Sequence, residues 1–190
     1  LALLAEPLLA TLFQYGAFSG DDRAMAAASL RAYTLGLGAF MLVKVLAPGF
    51  YAREDMRTAV RIGIIAMAVN MVLNIAFVFP LMWWLNLGHV GLALATSVSA
   101  WLNALLLFRG LRRDAVLPPG SLPAKWLAQV GAATAAMVLI LLWLMPDHAM
   151  WAEWLWWQRA LQLSILCGAG LGVFGMSLLC CGVRPADLRR

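Results

Sequence analysis

The chain alternates between long apolar runs and short polar segments. Each run approaches or exceeds the ~20 residues that a helix, rising ~1.5 Å per residue, needs to cross ~30 Å of hydrocarbon. The pattern therefore predicts an all-α, polytopic transmembrane helix bundle. The five runs are Leu30–Phe50, Ile62–Trp84, Val90–Phe108, Trp126–Leu144 and Ala160–Cys181.

A sixth apolar stretch opens the chain. It starts at Leu1 and reaches only about Phe13, which is too short for a full crossing. We interpret it as the end of a sixth helix, and we expect the chain to be the C-terminal part of a longer protein. The predicted fold is thus five full spans plus the end of a sixth.

Composition agrees with a membrane protein. The chain is 64% hydrophobic and 12% charged, with a mean hydropathy of +0.85, whereas soluble domains carry about 25% charged residues. Its pI near 9.6 would suggest nucleic acid as a partner in a soluble protein. Here the basic residues lie in loops, without a basic stripe interleaved with aromatic residues, so we expect no nucleic-acid partner.

The positive charges predict the orientation. Only Arg23, Arg31 and Arg159 fall towards one side, while ten Lys and Arg residues fall on the other. Because cytoplasmic loops carry the excess of positive charge, we expect the C-terminal tail inside the cell. The predicted inner segments are Tyr51–Ile62, Arg109–Lys125 and the tail, and the predicted outer ones are Phe13–Ser29, Pro80–His89 and Met145–Arg159.

Tryptophan is concentrated in the last outer connection. Amphipathic aromatic rings favour the headgroup level of a bilayer. We therefore predict an interfacial helix over Asp147–Gln158, with Asp147 as its N-cap.

Lys44 is the most informative polar residue, because it lies about six residues before the inner end of its span. Charged residues at membrane depth are costly and usually functional. Two interpretations remain open. The Lys side chain can snorkel to the interface or pair within the structure, or it can line a water-filled cavity that faces an anionic substrate.

Four further polar residues lie at depth: Glu6, Asn70, Asn74 and Asn103. A buried carboxylate such as Glu6 must be paired, protonated or in contact with water. Asn70 and Asn74 are spaced i, i+4 and share one helix face. These amides can bond neighbouring helices, or their common face can border a polar cavity. With Lys44, the four residues are the candidates for a substrate cavity.

Small residues four apart predict helix contacts. Gly131 and Ala135 have this spacing in one span, and Gly168 and Gly172 have it in the last. Such pairs let helix backbones approach closely.

No catalytic constellation is recognisable. The three cysteines, Cys167, Cys180 and Cys181, have no matching His cluster, so we expect neither a metal site nor a cofactor. The candidate carboxylate pair in an outer connection, Asp21-Asp22, is typical of a helix start. These observations favour a transporter or a scaffold over an enzyme.

Several strings of the sequence resemble the MurJ (MviN) family of lipid II flippases, within the superfamily that also contains drug and oligosaccharide-lipid exporters. The resemblance covers most of residues 1–113. The strings are Thr11–Phe18, Val43–Arg53, Leu73–Phe77, Gly91–Thr96 and Leu102–Ala104.

This resemblance implies a fourteen-helix flippase with two six-helix lobes around a cavity. Residues 1–109 would hold the end of helix 9 and helices 10–12 of the C-terminal lobe, 110–125 a cytoplasmic loop, 126–182 helices 13 and 14, and 183–190 the tail. The implied partners are lipid II, membrane lipids and the N-terminal lobe, which lies outside this sequence. The implied location is the bacterial inner membrane. Lys44 stands inside the matching Val43–Arg53 string.

Three alternatives remain open. The protein can export another lipid-linked glycan or a drug, or it can be a non-transporting scaffold for cell-wall synthesis. A membrane glycosyltransferase is the third, and Asp21-Asp22 is its only candidate carboxylate pair.

Overall fold

A computed structural model describes residues 1–13, 20–85, 88–114, 116, 124–146, 151 and 154–180. Within these residues the ordered structure is helical, which confirms the all-α class. Six helices follow one another: α1 (Ala5–Phe13), α2 (Gly20–Tyr51), α3 (Met56–Leu85), α4 (Gly88–Arg113), α5 (Ala124–Leu144) and α6 (Trp156–Cys180).

Among the described residues, four segments are long and apolar enough to cross a membrane. They are Asp22–Tyr51, Met56–Trp83, Gly88–Arg113 and Trp156–Cys180, and a shorter apolar helix covers Ala128–Leu144. These segments correspond to the five runs predicted from the sequence. The chain divides into two compact units, which we describe separately. The first unit contains Leu1–Ala5 and Ser19–Pro119, and the second contains Glu6–Phe18 and Gly120–Arg190.

In the first unit, α4 packs between α2 and α3, which contact each other only slightly. In the apolar window of α4, 44% of the residues are buried, against 17% for α2 and 11% for α3. Most of the apolar surface of α2 and α3 therefore faces away from this unit, as expected of helices that contact lipid or further protein.

Small residues bring α2 and α4 together. A Cβ atom on Gly36 would lie 2.8 Å from Oγ of Ser97. Across this close approach, Ser97 Oγ donates a hydrogen bond to the carbonyl oxygen of Ala32 at 2.7 Å. One turn further along, Trp101 Nε1 donates to the carbonyl oxygen of Leu35 at 2.8 Å. These are the small-residue contacts and interhelical hydrogen bonds by which membrane helices associate.

A tight turn joins α2 to α3. Glu54 adopts the left-handed conformation at φ 59°, and Asp55 caps α3 by accepting a hydrogen bond from the backbone N–H of Thr58 at 3.2 Å. Arg53 forms an ion pair of 2.8 Å with Asp114, just beyond the end of α4. The turn and the end of α4 therefore lie at the same end of the unit.

Two helices begin earlier than their apolar runs. The run at Leu30 belongs to a helix that starts at Gly20, and α3 starts at Met56, six residues before Ile62. The predicted connections Phe13–Ser29 and Tyr51–Ile62 are accordingly in large part helical. Hydropathy marks the stretch that can contact lipid, whereas a helix continues into water wherever its residues favour helix, as in Ala24–Ala28.

The second unit contains α5, α6 and most of α1. Arg159 is 8% exposed and donates from Nη1 to the carbonyl oxygen of Ala10 at 3.2 Å. That carbonyl lies in the last turn of α1 that the structure describes, so this bond joins α6 to α1. The Arg159 side chain, predicted to lie in an outer loop, is thus buried at the end of α1.

The contact between α5 and α6 uses a glycine outside the two predicted small-residue pairs. Gly170 faces Leu141, with 3.5 Å between a Cβ on the glycine and the Leu141 methyl groups. Gly131, Gly168 and Gly172 would have a Cβ in open space among the described residues. The predicted small-residue surfaces therefore do not form the contact between these two helices, and their role in other helix contacts stays a prediction. Gly170 lies between Gly168 and Gly172 in sequence and points to another face.

Half of the predicted interfacial helix, including Asp147, lies outside the described residues. Trp151 is buried, and its ring lies 5.3 Å from that of Trp154 at an angle of 50°. Trp156–Gln158 form the first turn of α6, so this membrane-length helix begins before Ala160.

Candidate functional site

A groove of about 450 Å³ lies among α2, α3 and α4 of the first unit. It combines apolar walls with five polar side chains, which is the composition expected of a site for a ligand with polar groups. We call it the three-helix groove. Its lining residues are Phe40, Val43, Lys44, Gly63, Ala66, Met67, Asn70, Thr96, Ser99, Ala100 and Asn103.

A chain of hydrogen bonds runs from α3 to α4 along this groove. Asn74 donates from Nδ2 to Oδ1 of Asn70 at 3.0 Å. Asn70 in turn donates from Nδ2 to the hydroxyl of Ser99 at 2.9 Å, and that hydroxyl donates to the carbonyl oxygen of Thr96 at 3.0 Å. The chain ties the two helices together and orders the polar wall of the groove.

One acceptor in this series of hydrogen bonds has no donor among the described residues. Oδ1 of Asn74 is buried and accepts no hydrogen bond from the part of the chain that the structure describes. A buried acceptor without a donor is costly. This end of the hydrogen-bond chain therefore has the capacity to accept a hydrogen bond from a water molecule or a ligand.

Lys44 supplies the positive charge of the groove. Its side chain is exposed along the groove wall, and it forms no ion pair within the described ranges. Asn103, a half-buried residue on α4, forms no side-chain hydrogen bond with the other described residues. An unpaired ammonium group beside free amide groups can attract an anion and donate hydrogen bonds to it.

The predicted site residues are thus partly brought together. Lys44, Asn70 and Asn103 line one groove, and Asn74 joins it through its hydrogen bond to Asn70. Glu6 does not share this unit: it lies on α1, half-buried, in the second unit.

Sequence reasoning missed Thr96 and Ser99. Together with Asn103 they are spaced i, i+3 and i+7, which places them on one face of α4. The signal was therefore present as a polar stripe on an apolar helix. Hydroxyl side chains are common in membrane helices, where they bond to the backbone of the preceding turn, and this masked the stripe.

The groove offers binding groups rather than an arrangement for covalent chemistry. Its polar members are one ammonium group, two amides and two hydroxyls. Among the residues described, no three His, Cys, Asp or Glu side chains come together in a way that could hold a metal ion.

Comparison with known proteins shows the family. A family model described as lipid II flippase MurJ matches residues 1–160. The chain is 46% identical over 189 residues to the probable lipid II flippase MurJ of Vibrio cholerae, an alignment that covers 100% of this chain and 35% of the relative. It is 40% identical over 188 residues to the protein of the same description from Haemophilus influenzae, covering 99% and 36%.

A third relative is the lipid II flippase MurJ of Burkholderia cenocepacia, with 40% identity over 143 residues, 75% of this chain and 27% of the relative. The chain spans about a third of the length of the relatives that it matches along its whole extent. The match of the family model over most of the chain agrees with these identities, and the resemblance predicted from the sequence strings is confirmed. The chain belongs to the MurJ family of lipid II flippases.

Proposed function

We propose that this chain is the C-terminal part of a lipid II flippase. In the full-length protein it would help to move the lipid-linked peptidoglycan precursor from the inner to the outer leaflet of the bacterial inner membrane. Membership of the family and the membrane-length helices support this proposal. The observation that carries it is the position of Lys44, unpaired within the described residues, on the wall of a polar groove between three such helices.

The electrostatic argument is direct. A pyrophosphate headgroup would be strongly disfavoured in a dry, apolar cavity. An ammonium group such as that of Lys44 offsets part of this cost, and the free amide of Asn103 can bond sugar or peptide groups. Translocation breaks no covalent bond, so a transporter needs such binding groups and a change of state, without a catalytic constellation.

We further propose that residues 1–109 belong to a six-helix lobe and that 126–182 form two additional helices. The separation of α5 and α6 from the α2–α4 unit supports this division. The proposed division does not explain why Glu6–Phe18 groups with α5 and α6 in the second unit.

The proposed orientation places the C-terminus in the cytoplasm. The ion pair between Arg53 and Asp114 agrees with both connections lying on one side of the membrane, and their excess of positive charge supports assigning that side to the cytoplasm. A reporter fused after Arg190, active only in the cytoplasm, tests the assignment. Activity only for a reporter exported to the outer side would overturn it.

The function is tested in a bacterium in which the full-length protein is the only flippase. The quantity to measure is the fraction of lipid II that an externally added, membrane-impermeant reagent can reach. We expect this fraction to collapse when the protein is depleted. An unchanged fraction, with wall synthesis still failing, would contradict transport and favour the scaffold.

The role of Lys44 is tested by substitution in the same strain. Lys44→Met should lower the reachable fraction about tenfold or more, since a charge-assisted hydrogen bond is lost, while Lys44→Arg should retain much of it. Arg112→Met removes an exposed positive charge outside the groove and serves as the matched control. Equal flipping by Lys44→Met and the control would exclude this role at equal protein levels.

A further inference from the structure

The first turns of α3 carry a second concave surface, separate from the three-helix groove. It is a shallow depression of about 580 Å³ lined by Met56, Arg57, Val60, Arg61, Ile64 and Ile65. We call it the α3 entry surface. Two rows run along it, because residues four apart lie above one another on a helix. One row is Arg57 and Arg61, and the other is Met56, Val60 and Ile64.

More than half of the surface of each residue in the apolar row is exposed. Met56 is 60% exposed, Val60 56% and Ile64 58%. Singly, such residues are common on protein surfaces, but a contiguous apolar row beside two charges marks an interaction site.

The positive charges of the arginine row are not neutralised by carboxylates of the described residues. Arg57 and Arg61 are exposed and form no ion pair with the other described residues. The carboxylates nearby have other partners: Asp114 binds Arg53, and Asp55 accepts the N–H of Thr58. Glu54, on the same turn, pairs with neither arginine. Two adjacent guanidinium groups therefore remain available to an anion.

The depth of the two arginines matches that of lipid headgroups. The membrane-length part of α3, Met56–Trp83, has 28 residues, or about 42 Å at ~1.5 Å per residue. The hydrocarbon core is about 30 Å thick. If the helix is centred, roughly 6 Å, or one turn, projects from each face. Arg57 then lies among the headgroups, and Arg61 lies at their inner boundary, from which its long side chain reaches the headgroups. Val60 and Ile64 lie at the start of the acyl region.

We propose that the α3 entry surface binds one phospholipid with an anionic headgroup. The lipid phosphate lies between the guanidinium groups of Arg57 and Arg61, which suit phosphate because each presents a planar fork of donors. One acyl chain follows Val60 and Ile64. A soluble anion would leave the apolar row uncovered, and a zwitterionic lipid would bring its own ammonium group beside the two arginines. The inference concerns a bound lipid and does not rest on the proposed function.

The charge pattern of the connections supports the same occupant. This end of α3 lies on the side predicted to face the cytoplasm, where anionic lipids attract basic segments. Each Lys or Arg near such a surface strengthens binding about fivefold.

The test uses the full-length protein that its gene encodes, purified in a mild detergent and titrated with phosphatidylglycerol. Native mass spectrometry counts the bound lipids. Arg57→Gln with Arg61→Gln should weaken the tightest binding event by roughly 25-fold, at about fivefold per arginine. The matched control is Arg109→Gln with Arg112→Gln, which removes two exposed arginines near the end of α4 and should leave that event unchanged.

A second pair of variants tests the lipid chain. Val60→Ser with Ile64→Ser keeps both arginines and changes only exposed side chains, so folding should be unaffected. This variant should also lose the tight event, and glycerol phosphate without acyl chains should not compete for it. Equal losses in the control pair would overturn the proposal, since they indicate diffuse attraction. So would unaltered binding in the Arg57 and Arg61 variant, as expected if further protein covers this surface.

Discussion

Asn70 of α3 donates a hydrogen bond from its side-chain nitrogen to the hydroxyl of Ser99 on α4, with 2.9 Å between the two atoms. This bond is the interhelical step in the chain that begins at Asn74 and ends at the carbonyl oxygen of Thr96. It therefore has two consequences. It fixes the register between two membrane-length helices, and it holds polar atoms along the wall of the groove that contains Lys44.

The first prediction concerns the strength of this bond. Asn70→Leu and Ser99→Ala should each destabilise the protein by about 1 kcal/mol, because the first leaves the buried Ser99 and the second the half-buried Asn70 without this bond. The double variant should lose less than the sum of the two. The coupling energy expected for a membrane hydrogen bond is about 0.6 kcal/mol, and up to about 1.7. Equilibrium unfolding in mixed micelles measures all four free energies, and strict additivity would contradict a direct bond.

The second prediction concerns Gly91, where α4 crosses α3. A Cβ on Gly91 would lie 2.9 Å from the carbonyl oxygen of Phe77, which is backbone and cannot move aside cheaply. Gly91→Ala should therefore push the helices apart and cost about 1–3 kcal/mol, as overpacking does.

Gly63 on α3 supplies the control for this substitution. A Cβ there meets nothing within 4 Å among the described residues, so Gly63→Ala should be neutral or slightly stabilising, since alanine favours helix. Thermal unfolding of both variants in the same detergent makes the comparison. Equal melting temperatures for the two would exclude close packing at Gly91.

The architecture could be predicted from the sequence because length and hydropathy decide what can cross a membrane. The residues at which the helices begin could not be predicted in this way. Gly20 and Met56 begin their helices in polar sequence, where hydropathy carries no information about hydrogen bonding. In the same way, the small-residue spacing of Gly168 and Gly172 is compatible with several faces of α6, and packing against Leu141 selected the face of Gly170.

The sequence predicts which site residues share a face of one helix, but it predicts less well which residues of neighbouring helices meet. The i, i+4 spacing places Asn70 and Asn74 on one face from sequence alone. Their neighbour Ser99 depends on which side of α4 turns towards α3, and this is set by close approaches such as that of Gly91. The role of Lys44 as a groove residue follows only from the packing of all three helices.

The third prediction concerns Arg159, whose side chain binds the last described turn of α1. Its Nη1 donates to the carbonyl oxygen of Ala10 at 3.2 Å from a buried position. Arg159→Met retains the apolar stem of the side chain but removes the charge and the donors. The expected loss is about 1.5–3 kcal/mol, the range for a hydrogen bond to a charged group.

The loss of stability caused by Arg159→Met should be local. Hydrogen exchange should speed up in the last turn of α1 and leave α2–α4 unchanged. Arg109→Met, at an exposed position on α4, is the control for the charge alone. Unaltered exchange at Ala10–Phe13 in Arg159→Met would show that this bond contributes nothing to α1.

The fourth prediction concerns the pH dependence of the cap at the start of α3. Hydrogen bonds from the hydroxyl and then the backbone N–H of Thr58, together with the charge of Arg53, hold the pKa of Asp55 below its ordinary value of 3.8. A carboxyl group whose pKa is lower in the folded state stabilises that state when ionised. Its contribution is therefore complete at neutral pH and disappears as the pH falls through the folded-state pKa, below 3.8.

Asp55→Ala removes the cap and should be less stable than the parent protein at pH 7, with the difference shrinking as the pH is lowered below 4. Asp55→Asn keeps an oxygen that can accept the N–H of Thr58 but carries no titrating charge. Its difference from Asp55→Ala should therefore be the same at pH 3 and pH 7. Amide exchange at Thr58 across this range measures both variants. A gap between Asp55→Ala and the parent protein that stays constant down to pH 2 would show that the charge of Asp55 does not act on α3.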